Sequence, residues 1–277
     1  SFHALSWLGL SGSTRDTANY MRAAAEAEAV YELDPRHPGA LHYLVHAYDD
    51  PVHAPLGLRA ARRYGKVAPA AAHAQHMPSH IFFALGMWDD AIAANVASLA
   101  TARSQGQGGY HALEWLAYAY LQQGMRDDAA KLVQSVADDV ARNPTPGNRT
   151  TLAYARAMWL VEAGSADAMG PADVDETGIK SIYAFSAYDF ARGVVAARSG
   201  DVSAAEAQAR RLQARSDAAR ANAVGVVASR YDSVTPVELE QGQILATALE
   251  GAILFAQGKQ DDGLGRVREA IARADSM

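Results

Sequence analysis

The sequence predicts an all-α protein, an α-solenoid of antiparallel helix hairpins, on three observations. Alanine-rich segments with apolar residues at i, i+3, i+4 and i+7 recur throughout, while alternating β-branched runs of useful length are missing. The punctuation between them is itself repetitive: LGMWDDAIA (85–93), QGMRDDAAK (123–131), SGDVSAAEA (199–207) and QGKQDDGLG (257–265). In each, a Gly can take the left-handed conformation that ends one helix, and the Asp or Ser that follows can cap the next. Third, Gly86, Gly124, Gly164, Gly200 and Gly258 stand 38, 40, 36 and 58 residues apart, which fits hairpin units of about 34 residues plus variable loops.

Taken in order, the units lie near 1–37, 38–71, 72–109, 110–149, 150–185, 186–222 and 238–277, within one continuous helical repeat domain spanning 1–277. In the first, GLSGST lacks the Gly-Lys-Ser/Thr of a phosphate loop, and SGSTRD reads as a turn with Ser or Thr capping the helix from Asp16. The second carries Leu41, Leu44, Val45, Tyr48, Gly57 and Pro69 at tetratricopeptide spacing, and the fourth carries Leu113, Leu116, Ala117, Tyr120, Ala129 and Val133 at the same spacings. In the third, Pro78 disfavours helical geometry at Met77, so a helix is expected to begin there and leave His76 ahead of it. The later units are looser, with irregular connections at 164–178 and 223–237.

Composition narrows the function. A chain of 277 residues, 49% hydrophobic and 20% charged, is expected to be soluble with a large core. A net charge of −6 without blocks of like charge argues against nucleic acid or an anionic membrane as partner. No apolar run reaches the length of a membrane span, and the opening SFHALSWLGL has no basic stretch before an apolar core, so the compartment, cytoplasmic or periplasmic, stays open. With no cysteine, any metal must be held by nitrogen and oxygen.

The runs HPGALHYLVHAYDD (37–50), HAQHMPSHIFF (73–83) and HALEWL (111–116) resemble a bacterial group of uncharacterised tetratricopeptide repeat proteins, whose shared pattern is roughly HPGxxHYxIHAxD, HxxHMPSHIF and HALEWL. The resemblance covers most of the chain. It implies a helical repeat fold in which first helices line a concave groove, and a chain that is the central part of a longer member. It supplies no reaction. Apolar terminal helices would then favour self-association.

All nine histidines fall within the first 111 residues. His42 and His46 recur as His76 and His80 after an interval of 34, so both pairs take the fifth and ninth positions of a first helix. Residues i and i+4 share a face, and neighbouring helices at about 8–10 Å allow imidazoles on both to converge. Glu114 holds the fifth position of the next unit, with His111 at its second. This set predicts a site for a divalent transition metal (Zn, Fe, Mn or Cu) on His42, His46, His76 and His80, with Glu114 as ligand or base. His3, His53 and His73 read as structural or solvent-facing, and His37 as a cap.

Two functions follow. A metal-bound water could hydrolyse a small molecule in the groove, with Asp49, Asp50 or Glu114 accepting its proton. Alternatively the array is a non-catalytic scaffold that receives an extended or helical peptide, with the histidines as polar contacts. In a purely structural reading they donate to backbone carbonyls or stack on Tyr48 and Phe82, with Asp49 and Asp50 capping the next helix.

Overall fold

The structure is a computed structural model that describes residues 2–11, 16–164, 174–223 and 235–277. Among these residues there are fourteen helices and no strand. No helix of the described residues is long and apolar enough to cross a membrane. The chain forms two compact units, Ser1–Gly124 and Met125–Met277.

The first unit holds α1 (Phe2–Leu10), α2 (Thr17–Leu33), α3 (Pro38–Ala47), α4 (Ala54–Val67), α5 (Ala72–His76), α6 (Pro78–Ala84), α7 (Trp88–Ser104) and α8 (Tyr110–Gln122). Each helix packs on its sequence neighbours, with α1 also against α3 and α3 against α6, the nearest-neighbour stacking of a tetratricopeptide-like repeat. Leu41, Leu44, Val45, Met77 and Ile81 form its fully buried centre. Gly57 is where α4 approaches α6: a Cβ there would stand 2.8 Å from Ile81 Cδ1. The second unit holds α9 (Arg126–Arg142), α10 (Pro146–Ala163), α11 (Ile182–Arg198), α12 (Val202–Ala223), α13 (Pro236–Ala256) and α14 (Gln260–Asp275). There α11 packs on α10, α12 and α13. Its buried Asp189 faces Arg211 and Arg215 of α12, and both arginines also reach Glu176.

The five glycines marked as helix ends all have positive φ, from 67° to 81°. The capping expectation needs correction at three of the four hairpin turns. Met87, Met125 and Lys259 hold the N-cap positions without a side-chain cap bond, and the Asp pairs 89–90, 127–128 and 261–262 sit within the first turn. They act there on the helix dipole rather than as caps. Asp201 does cap, accepting from the Ala204 N–H. At α2 the cap is Asp16 itself, accepting from Ala18 and Asn19, rather than Ser or Thr; residues 12–15, and most of the two irregular connections, lie outside the described residues.

As expected, a helix begins at Pro78 with His76 ahead of it, at the end of α5, yet the backbone between them stays in the helical region. Met77 keeps helical angles (φ −51°, ψ −38°), with its N–H on His73 O at 3.0 Å and its carbonyl accepting from His80 at 3.2 Å. The pre-proline penalty is local, whereas Met77 and Ser79 are fully buried, so packing holds the αR geometry against it.

In the second unit, α13 and α14 touch through backbone. A Cβ on Gly251 would stand 2.9 Å from Gly263 O, and one on Gly263 would stand 2.9 Å from Gly251 O. Gly251→Ala should therefore destabilise by about 1–3 kcal/mol, although helix propensity alone would gain about 1 kcal/mol. Gly265 has open space around it, and Gly265→Ala should be neutral or stabilising. Urea unfolding of the two variants checks the contrast.

Candidate metal centre

The first helix pair places His42 and His46 one turn apart on α3, and their Nε2 atoms lie 3.0 Å apart. His73, second residue of α5, brings its own Nε2 to 3.0 Å from that of His42. The His42 ring lies nearly parallel to Tyr64 at 5.4 Å between centroids, which fixes its plane. A neutral imidazole nitrogen has in its plane either one proton or one lone pair. His42 Nε2 therefore cannot serve two neighbours at 3.0 Å as donor or acceptor, but three such nitrogens suit one cation. A tetrahedral site with metal–nitrogen bonds of about 2.0–2.1 Å has ligand atoms about 3.3 Å apart.

A second triad, His76, His80 and His111, repeats this arrangement, and in each triad the ligand nitrogens lie within 4.8 Å of one another. His76 and His80 meet Nε2 to Nε2 at 3.1 Å, and the His111 ring stands 4.5 Å from that of His76. Here the outer nitrogens assign the tautomers. The amide of buried Asn95 donates to Ala91 O, so its Oδ1 accepts from His76 Nδ1 at 2.6 Å. His80 Nδ1 donates to Asp49 Oδ2 at 2.9 Å. With both Nδ1 atoms protonated, neutral rings would set two Nε2 lone pairs against each other, an arrangement that a cation between them resolves. Trp115 walls this triad, 5.0 Å from the His80 ring. Burial, then the neighbouring rings His46, His73 and His80, pushes His42 down to about 3. Burial likewise takes His76 to about 3, against the bond to Asn95. His73 and His111 are also lowered, chiefly by burial. His42, His73, His76 and His111 are thus held toward the neutral form, the form that binds metal.

Pro78 does not separate His76 from His80, because the chain stays helical across Met77. The four predicted histidines divide between two triads, and each is completed by a residue outside the predicted ligand set. His73 reads from sequence as structural, and His111 as a neighbour of Glu114. Their common signal is position: each is the second residue of the next first helix. Both are exposed, so each triad opens to solvent on that side. His37 caps α3 by accepting from the Ala40 N–H. His3 contacts Glu26, and His53 contacts Asp50. Tyr48 turns away from the histidines to donate to Glu28, and Phe82 is buried in the core.

Of the three carboxylates, Asp49 orients His80. Asp50 organises the entry to α4, accepting from the Val52 and His53 N–H groups at 2.9 Å. Glu114 lies one turn beyond His111 on α8 and belongs to neither triad.

No family model matches the chain, and no curated protein matches it. Among solved structures it is similar to the human IFIT1 dimer with m7Gppp-AAAA, at 13% identity and a TM-score of 0.41, over 98% of this chain and 70% of that one. It is also similar to the human IFIT1 dimer with PPP-AAAA, at 13% identity and a TM-score of 0.40, over 92% and 69%. A likeness of this degree carries no argument about the histidine site.

Burial pushes the Glu114 carboxyl up to about 7 from 4.5. A raised carboxylate pKa means that ionisation opposes folding: the penalty is absent below the unfolded value, grows between the unfolded and folded values, and levels off above the folded one. Glu114→Gln should leave stability unchanged at pH 4 and increase it at pH 8, by up to about 3 kcal/mol. Denaturant melts at the two pH values check this.

Proposed function

We propose that the protein binds divalent transition-metal ions on the histidine triads of its N-terminal unit and uses them on a small molecule. The observation that carries this reading is the convergence of Nε2 atoms at 3.0–3.1 Å, with the Nδ1 atoms of His76 and His80 held by Asn95 and Asp49. Outer hydrogen bonds of this kind fix the tautomer and orientation of ligating histidines in metal sites generally. An all-imidazole set suits Zn, Cu or Fe better than Mn, which prefers oxygen.

Three protein ligands leave a tetrahedral ion one open position, where bound water reaches a pKa of about 7 and becomes a nucleophile. Metal-assisted hydrolysis is the reaction class that this arrangement supports. Glu114 is the carboxylate left for proton transfer, since Asp49 and Asp50 are engaged, and its raised pKa of about 7 matches that task.

Zn(II) or Cu(II) at 100 times its dissociation constant should stabilise each site by about 2.7 kcal/mol, which shifts the melting temperature by roughly 5–10 °C. Replacing His46 and His80 together with Ala should abolish the shift and leave the far-ultraviolet circular dichroism unchanged. A peptide scaffold predicts no metal-induced shift, and its absence from the unaltered protein would sink the metal reading.

A further inference from the structure

The two triads are interleaved. His73 of the first and His76 of the second are one turn apart on α5, with ring centroids 6.5 Å apart. The chain just past the end of α3, which carries His42 and His46, supplies Asp49 to His80 of the second triad. Each triad is thus built partly by a segment that builds the other. Imidazole ligands carry no charge, so two dications would bring four positive charges against at most two negative ones, those of Asp49 and Glu114. Excess charge of this size in a partly buried site calls for an anion among the ligands. Each three-histidine set leaves a ligand position vacant for one.

We propose that the two triads hold a dinuclear centre whose ions are bridged by a small anion, hydroxide in water, at the separation of about 3.5–4 Å usual for paired metal sites. This rests on the metal-binding reading above. The hydroxide derives from one water molecule that releases its proton to solvent, and no electron transfer is involved. The exposed rings of His73 and His111 mark the side from which the anion enters. A monodentate anion such as azide should replace the hydroxide.

The test loads the full chain with Cu(II), removes free metal and compares ions bound with unpaired spins detected. Two ions per chain are expected, with an electron paramagnetic resonance intensity at least tenfold below that of two isolated ions, because a single-atom bridge couples the spins. Azide should add a charge-transfer absorption that saturates at one equivalent per chain. His73→Ala and His111→Ala should each bind one ion and recover the signal of one isolated spin, and His73→Gln repeats the first arm with a side chain of closer size. Two ions with full two-spin intensity, or a single ion in the unaltered chain, would overturn the dinuclear centre while leaving metal binding intact. No retained ion would overturn both.

Discussion

Where three neutral imidazole nitrogens meet at one point, hydrogen bonding cannot satisfy all of them, and this constraint connects most of the first unit. His42 Nε2 has neighbours at 3.0 Å on two sides, an arrangement that unrestrained side chains would relax by rotating apart. The surrounding structure prevents that. Tyr64 of α4 lies flat against His42, Asn95 of α7 grips His76, and Asp49 fixes His80. The second helices of the hairpins therefore serve the site although they carry no ligand. The placement of α3, α5, α6 and α8 sets which rings can meet, and helices α4 and α7 set how those rings point.

Asn95 shows how closely the core and the site depend on each other. It is fully buried and has two partners, Ala91 O and His76. An apolar residue there would leave the His76 Nδ1–H without an acceptor, a loss of about 1–3 kcal/mol for a buried donor, and would free the ring to choose its other tautomer. One turn further along α7, Ser98 bonds to Ala72 O at 2.7 Å and fixes the start of α5 just before His73. The same helix face thus holds ligands of both triads in register.

The fold was legible because its determinants are local. A glycine with positive φ ends a helix whatever surrounds it, and all five marked glycines do so. The interval of 34 residues was equally legible, because His42 and His46 recur as His76 and His80 within successive hairpins. The third ligands were not. From His73 to His111 the interval is 38, since the glycine-rich connection QGQGG (105–109) lengthens that unit and breaks the period. Glu114 keeps the register of the row, yet its carboxylate joins neither triad, because register gives a side chain's face and not the direction of its last bonds. The behaviour of Pro78 was hidden for a related reason: the burial that holds Met77 helical is contributed by residues distant in sequence.

Each triad takes two ligands from one hairpin and the third from the next, and this bears on how the array comes apart. In a linear array, stability divides into a term for each repeat and a term for each junction, and weak junctions let terminal repeats fray independently. A cation held by residues on both sides of a junction adds its binding energy to the junction term alone. Two consecutive junctions of this kind would merge the second, third and fourth first helices into a single cooperative block. Hydrogen exchange in that block would then rise or fall together with cation supply, while the first hairpin continued to open on its own.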